Sequence, residues 1–210
     1  MNYNNCDNYL ICIGSPDNSL SGCYNDIELI YHLMYHKLNI KKSWKFYQQS
    51  YLLIKKVFEE IHNDNHDKDY QLIIYFTGHG YNNGSIRINH QLIFNHQFFQ
   101  DINQFSNLSF YLTLIFDCCF SKTFFLNNQF GNAKINFIGS SQENQYSSES
   151  ITDEILFNNL NLKFIKNQNY YIGLFTFLFT KLFINNDLLS TLQHCLFNEL
   201  IIQNHFYKFY

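Results

Sequence analysis

Four short apolar runs, each followed by small or polar residues, constrain the fold of this chain more than any other feature. They cover residues 9–14, 70–76, 110–116 and 133–138. Runs of this length that are apolar at nearly every position are typical of strands buried on both faces of a mostly parallel sheet. Amphipathic helix patterns separate the runs early in the chain. Strands that alternate with helices predict an α/β sandwich with right-handed crossovers.

The connecting segments complete this interpretation. Apolar residues at helical spacing predict one helix over 25–38 and a second with Ser50 as its N-cap. Further elements are expected at six places, namely a short strand at 44–47, a hairpin turn at 82–84 leading into a strand at 85–88, and helices at 98–105, 173–185 and 188–205. The polar segment 142–169 is long for a connection within a domain, which indicates a functional loop or a processing segment.

Length and charge limit the classes of function. A chain of 210 residues with 46% hydrophobic residues can bury one sizeable core, so we expect a single domain over 1–210. The formal charge of −3 lacks the basic footprint of a nucleic-acid-binding protein. Because the sequence has neither a long apolar run nor a signal-peptide pattern, we expect no membrane association and a cytoplasmic location.

The cysteines and histidines do not form a recognisable metal motif. The six cysteines include no C-x-x-C pair, which disfavours a structural zinc site, and an intracellular location disfavours disulfides. Asp64, Asp67 and Asp69 cluster with His62 and His66, but this segment lacks the glycine and the terminal glutamate of an EF-hand loop. A solvated turn is the favoured interpretation, and we predict no metal and no cofactor.

His79 and Cys119 are the candidate catalytic residues. Each follows a predicted buried strand, and ligands of parallel α/β sheets gather at the carboxyl ends of the strands. An imidazole can take the thiol proton or pair with the thiolate, and the amides of Gly80 and Cys119 can form an oxyanion hole. A hydrogen-bonded structural histidine beside two small buried cysteines is the alternative that these residues leave open.

Five ordered strings carry a resemblance to a known family. Thr-Gly-His-Gly at 77–80 resembles the Ser-Gly-His-Gly of metacaspases, which belong to the caspase-like cysteine peptidases. Asp-Cys-Cys-Phe-Ser at 117–121 is similar to their Asp-(Ser/Cys)-Cys-His-Ser. The other three strings are Leu-Ser-Gly-Cys-Tyr-Asn-Asp at 20–26, Glu-Asn-Gln-Tyr-Ser-Ser-Glu at 143–149 and Gly-Leu-Phe-Thr at 173–176.

The resemblance implies a fold and a set of roles. The fold would be a caspase-like three-layer sandwich with a large-subunit-like part (1–141), a linker loop (142–169) and a small-subunit-like helical part (170–210). Cys119 would be the nucleophile and His79 the general acid/base. Asp26 and Asp117 would receive a substrate Lys or Arg, and Ser141 is a further candidate substrate-binding residue. Asp26 as a charge at a helix N-terminus and Asp117 as a loop cap remain alternatives.

The chain also departs from the family pattern. Phe120 replaces the family's His and Lys122 replaces its Gly, which puts a ring and a cation beside the thiol. Lys122 would either favour the thiolate or occupy the acidic pocket and inhibit. Residues 81–89 contain no carboxylate, whereas calcium-dependent metacaspases carry acidic residues in that region. We therefore predict no high-affinity calcium site.

Two hypotheses about function follow from these residues. The first is a cysteine endopeptidase of metacaspase type that cleaves proteins or peptides after Lys or Arg, with self-cleavage at Lys163 or Lys166 in the linker loop. The second is a catalytically impaired caspase-like pseudoprotease that binds peptides or partners as a regulatory scaffold. The sequence leaves the oligomeric state and the natural substrate open.

Overall fold

The computed structural model describes residues 6–104, 110–126, 133–141, 146–147, 149–151, 171–188, 190–191 and 206–209 of the chain. Helices and strands follow one another in the order β1 (Asp7–Gly14), α1 (Cys23–Lys37), β2 (Ile40–Tyr47), α2 (Tyr51–Asp64), β3 (Tyr70–Gly78), β4 (Gly80–Tyr81), β5 (Ser85–Ile88), β6 (Gln91–Phe94), α3 (Asn95–Asn103), β7 (Phe110–Cys118), α4 (Ser121–Phe125), β8 (Ala133–Gly139), β9 (Glu149–Ile151), β10 (Tyr171–Gly173), α5 (Leu174–Asn185) and β11 (Phe206–Phe209).

A six-stranded sheet forms the middle layer, with the strand order β11-β8-β7-β3-β1-β2. Its five strands β8, β7, β3, β1 and β2 run parallel, and β11 is antiparallel to β8. The strands β4, β5 and β6 form a small antiparallel sheet, and β9 pairs with β10. The mostly parallel central sheet confirms the fold class predicted from the apolar runs.

Two apolar cores cover the two faces of this sheet. On one face, alternate residues of β1, β3 and β7 pack against α2, α3 and α4. The intervening residues of the same strands point to the other face, where they pack against α1 and α5. Leu72 and Ile74 lie in the first core and Ile73 in the second, which is why the strand is apolar at every position. Helices on both faces complete a three-layer sandwich.

Local signals explain several element boundaries. The Ser50 hydroxyl accepts a hydrogen bond from the Leu52 amide at 3.2 Å, which confirms the predicted N-cap of α2. Strand β2 begins at Ile40, four residues before the predicted strand. It lies at the edge of the sheet, where charged side chains such as Lys41 and Lys42 are tolerated, and these charges hide the strand from an apolar pattern.

The carboxyl-terminal part contains more β structure than the sequence indicated. Helix α5 confirms the predicted helix at 173–185, whereas most of the helix predicted over 188–205 lies outside the described residues. Strands β10 and β11 were not predicted, so the part 170–210 is not purely helical. Within the described part of the chain, no helix is long and apolar enough to cross a membrane.

Candidate active site

The register of two parallel strands brings the predicted catalytic segments together. In the β3–β7 pair, Thr77 lies opposite Asp117 and Gly78 lies opposite Cys118. A Cβ atom at Gly80 would lie 2.0 Å from the carbonyl oxygen of Cys119, so the two segments are in contact where each leaves its strand. Only a glycine allows this approach, because the obstructing atom belongs to the backbone.

A cleft opens beside this contact at the carboxyl edge of the sheet. Among the described residues, its wall includes the Cys119 side chain, and both predicted substrate carboxylates lie in the same cleft. The lining side chains that bear on chemistry are Cys23, Asp26, Thr77, Asp117, Cys119 and Glu149. His79 follows the lining residue Gly78 but is not itself part of the described lining.

The two aspartates are held by different segments. The Asp26 carboxylate accepts hydrogen bonds from the Gly173 amide and the Thr77 hydroxyl, each at 2.8 Å. Asp117 accepts hydrogen bonds from the Thr176 hydroxyl at 2.7 Å and from the Thr176 amide at 3.1 Å. A Cβ atom at Gly173 would lie 2.0 Å from Asp117 Oδ2 and 3.3 Å from Asp26 Oδ2, so both carboxylates approach the same backbone position.

Burial raises the pKa of acidic side chains in this cleft. Asp26 is 1% exposed and Asp117 is 5% exposed. Burial, together with the negative charge of Asp117, holds the pKa of Asp26 well above its ordinary value. Burial also raises the pKa of Glu149, whose carboxylate accepts a hydrogen bond from the Gly22 amide at 3.0 Å. A cation that entered the cleft would therefore relieve an unfavourable concentration of acidic groups.

Opposing effects act on the pKa of the Cys119 thiol. Burial raises its pKa and the Asp117 charge raises it further, while a hydrogen bond from the Ser147 amide to the sulfur, at 3.3 Å, lowers it. The net direction is upward, so the resting thiol is protonated. Among the described residues, Cys119 Sγ and the His79 ring have no hydrogen bond to each other.

His79 takes part in a compact polar cluster. Its Nε2 atom lies 2.8 Å from Asp17 Oδ2, and the Arg87 guanidinium donates to the same oxygen. The second Asp17 oxygen accepts hydrogen bonds from the Ser19 amide, the Ser19 hydroxyl and the Leu20 amide, at 2.8, 2.7 and 3.0 Å. Burial opposes ionisation of Asp17, but the hydrogen bonds from Ser19 and Arg87 outweigh it and hold the pKa below its ordinary value.

The two departures from the family pattern lie outside the described lining of the cleft. Phe120 has a left-handed backbone with φ of 53°, which makes a sharp turn between β7 and α4 directly after Cys119. Its ring packs against Tyr146, with the ring centroids 5.1 Å apart. The Lys122 amide donates to the Ser141 carbonyl at 3.2 Å. In this arrangement neither side chain fills the acidic cleft.

Ser141 is fully buried behind the turn that carries Cys119. Its hydroxyl donates to the Cys118 carbonyl at 2.9 Å and accepts from the Ser121 amide at 3.1 Å. These bonds support the turn that carries Cys119, and Ser141 is not among the described lining residues of the cleft. A direct contact between Ser141 and substrate stays a prediction.

Sequence reasoning assigned no role to three residues that contact the candidate site. Glu149 and Ser147 lie in the string at 143–149 that resembles the family, so the sequence carries a signal for them. Asp17 follows Pro16 in a turn and contacts a histidine 62 positions away in the chain. No local pattern marks such a pair, because only the fold brings the two residues together.

The segment with three aspartates is part of the scaffold. Asp64 pairs with Lys42 at 2.7 Å, and Asp67 pairs with His66 at 2.6 Å in an exposed position. His62 is buried, and its Nε2 atom lies 2.6 Å from the Ile102 carbonyl oxygen. Across the described ranges, no group of three or more His, Cys, Asp and Glu side chains is arranged to hold a metal ion.

Comparison with solved structures identifies the fold. The crystal structure of caspase-1 from Spodoptera frugiperda matches over 91% of this chain and 78% of that chain, with a TM-score of 0.59 and 14% identity. Raptor from Chaetomium thermophilum matches over 67% of this chain and only 16% of that much longer chain, with a TM-score of 0.48 and 11% identity. Neither a protein-family profile nor a curated protein sequence matches. The chain has a caspase-like α/β fold.

Proposed function

We propose that this chain is a cysteine endopeptidase of metacaspase type that cleaves after Lys or Arg. One observation carries the proposal: Cys119 lines the same cleft as the buried carboxylates of Asp26 and Asp117. A nucleophile beside a cation-binding pocket suits a peptidase that selects a basic side chain next to the scissile bond. The substrates would be proteins or peptides that carry basic residues.

The reaction would proceed through an acyl-enzyme. His79 removes the thiol proton of Cys119, and the sulfur attacks the substrate carbonyl to form a tetrahedral oxyanion. When the C–N bond breaks, His79 gives its proton to the leaving amine. Water, deprotonated by His79, then attacks the thioester, which releases the carboxylic acid and restores the thiol.

Strand pairing supports Gly80 as one donor of the oxyanion hole. The Arg87 amide donates to the His79 carbonyl at 2.9 Å, which marks residues 79 and 87 as a hydrogen-bonded pair between antiparallel segments. Hydrogen-bonded and non-hydrogen-bonded pairs alternate along such a ladder, and Gly80 is the next residue, opposite Ile86. We therefore expect the Gly80 amide to point away from β5, on the side where Cys119 lies.

The acidic cleft supports selectivity for a cation. Asp26, Asp117 and the half-buried Glu149 would surround an ammonium or guanidinium group with charge-assisted hydrogen bonds. The same groups would repel an acidic side chain, so peptides with Asp at the cleavage position should be rejected. Glu149 adds a third carboxylate to the pair predicted from the sequence.

Hydrolysis of fluorogenic peptides tests the proposal. We expect release of the fluorophore from peptides that end in Arg or Lys, none from matched peptides that end in Asp, and loss of activity in Cys119→Ala. Cys118→Ala is the matched control, because this neighbouring thiol is buried and does not line the cleft in the described structure. Full activity in Cys119→Ala, or equal loss in both variants, would contradict the proposal.

A specific observation favours the second candidate, a pseudoprotease that binds peptides without cleaving them. The resting thiol has a raised pKa, and it has no hydrogen bond to His79 among the described residues. Alkylation of Cys119 by iodoacetamide at pH 6 separates the two candidates. Rapid labelling that requires His79 supports the peptidase. Slow labelling unaffected by His79→Gln, combined with binding of Arg peptides without hydrolysis, supports the scaffold.

A further inference from the structure

We propose that Asp17 is a positioning residue that fixes His79 in its Nε2–H form and completes an Asp17–His79–Cys119 arrangement. This inference rests on the proposed peptidase function. The contact that motivates it joins His79 Nε2 to Asp17 Oδ2 at 2.8 Å. A carboxylate only accepts hydrogen bonds, so Nε2 must carry the proton. The other ring nitrogen, Nδ1, then has the free electron pair that can take the proton of the thiol.

Contacts other than the one with His79 fix the orientation of the Asp17 carboxylate. Asp17 Oδ1 accepts hydrogen bonds from the amides of Ser19 and Leu20, which lie in the turn that follows it. Pro16 restricts the backbone on the other side, and its carbonyl accepts a hydrogen bond from the Gln48 side chain at 2.6 Å. With Oδ1 fixed in this way, Oδ2 is the oxygen directed at the ring.

Arg87, on the small antiparallel sheet, balances the negative charge of Asp17. Arg87 is the single arginine of the chain, and it stands on β5, where its amide donates to the carbonyl of His79, the residue just before β4. Its guanidinium donates to the same Asp17 oxygen as the histidine, and the Asp17, His79 and Arg87 side chains are 31%, 25% and 26% exposed. Within the described part of the chain, Asp17 is the charged group that contacts the His79 ring, and Arg87 in turn pairs with Asp17. Since they offset each other, Asp17 acts mainly through orientation of the ring.

The variant Asp17→Asn separates orientation from folding. Its Oδ1 atom can keep both hydrogen bonds from the turn amides, so the loop geometry is preserved. The amide nitrogen would then replace Oδ2, so Arg87 would lose its acceptor, and Nε2 would face a donor, which stabilises the opposite tautomer, with the proton on Nδ1. Reversal of the side-chain amide is disfavoured, because its NH₂ group would meet the two turn amides.

Ring ¹⁵N chemical shifts of His79 provide a readout that does not depend on catalysis. We expect the wild-type neutral ring to carry its proton on Nε2 and the Asp17→Asn ring to carry it mainly on Nδ1. Assignment by comparison with His79→Gln identifies the signal. An unchanged tautomer in Asp17→Asn would overturn the proposal, whether or not the protein cleaves peptides.

Kinetics provides the second readout. Because Asp17 is not among the described lining residues of the cleft, we expect Asp17→Asn to lower kcat about 10²- to 10⁴-fold with KM nearly unchanged, and Asp17→Glu to recover part of the loss. Asp67→Asn is the matched control, since it removes the carboxylate of another aspartate that pairs with a histidine, on an exposed turn. A raised KM with unchanged kcat, or equal losses in Asp17→Asn and Asp67→Asn, would overturn the positioning role.

The two proposals fail in different ways. If the wild-type protein hydrolyses none of the Arg and Lys peptides, the peptidase function fails, and the tautomer measurement still decides whether Asp17 orients the ring. If hydrolysis is observed but Asp17→Asn retains full kcat, the peptidase function stands and the role of Asp17 is refuted.

Discussion

Replacement of Asp26 by Asn should raise stability and lower activity at the same time. The carboxylate is 1% exposed and close to Asp117, and burial together with that neighbouring charge holds its pKa well above the ordinary value. Asn keeps both hydrogen bonds, because its oxygen can accept from the Gly173 amide and the Thr77 hydroxyl can rotate to accept from its nitrogen. The variant therefore removes the charge and keeps the geometry.

The sign of the stability effect follows from proton linkage. With a raised folded-state pKa, the contribution of Asp26 to stability is fully present below the ordinary pKa of about 3.9 and is lost as the pH rises through the folded-state pKa. Asn has no such pH dependence. Each unit by which the folded-state pKa is raised costs about 1.4 kcal/mol of stability at a pH above that pKa, and Asn removes this cost. For a chain of this size that corresponds to an increase in Tm of at least about 2 °C at pH 8.

Activity should change in the opposite direction. Loss of one carboxylate from a buried, hydrogen-bonded charge pair costs about 2–5 kcal/mol, which lowers kcat/KM for Arg and Lys peptides roughly 30- to 4,000-fold. Thermal melts at pH 5 and pH 8, together with kcat/KM, test both effects. The stability difference between Asp26→Asn and wild type should shrink at pH 5.

A buried aspartate with a cationic partner is the matched control for Asp26. Asp101 is 6% exposed and pairs with Lys55 at 2.8 Å, so Asp101→Asn should lower stability and leave kcat/KM unchanged. If Asp26→Asn instead lowers stability by about 0.3–1 kcal/mol and leaves cleavage intact, Asp26 is a helix N-terminal charge and the reasoning is refuted.

Three further substitutions test the cleft and the apolar core of the domain. Gly173→Ala puts a methyl group 2.0 Å from Asp117 Oδ2 and should raise KM for Arg peptides at least tenfold, so an unchanged KM argues against the pocket. Gly80→Ala puts a methyl group 2.0 Å from the Cys119 carbonyl and should reduce both kcat and the labelling of Cys119, and normal labelling would refute the close approach. Phe98→Ala removes a fully buried ring that contacts four other phenylalanines. It should lower the free energy of unfolding, measured with urea, by about 3–5 kcal/mol. Tyr35→Ala, at an exposed position, should change this free energy little.

The sequence predicts the parts of this structure that depend on local patterns. Strand β3 is buried on both faces, so its apolar run is unbroken, and the Ser50 cap is visible from one side chain and its neighbours. The placement of His79 and Cys119 at one edge follows from parallel strands alone.

Contacts between distant segments could not be predicted in the same way. Asp17 meets His79 only because the loop after β1 folds back over the end of β3, and the Ser147 amide reaches Cys119 across 28 positions. Lysines, which an edge strand tolerates, interrupt the apolar pattern of strand β2, so the pattern does not reveal the whole strand. These features depend on how segments meet in space, which hydrophobic periodicity does not encode.

In the proposed peptidase, Asp117 would link the charge of the substrate to the activation of the Cys119 thiol. Its charge is one of the causes that raise the pKa of Cys119, after burial, and its carboxylate lies in the cleft that would receive the substrate cation. A bound Lys or Arg side chain would offset that charge and so favour the thiolate at the moment when a scissile carbonyl is present. The proposed peptidase would then remain unreactive until a basic substrate binds. Alkylation of Cys119 measured with added arginine amide should be faster than with the neutral, nearly isosteric citrulline amide, and equal rates with the two would refute the link.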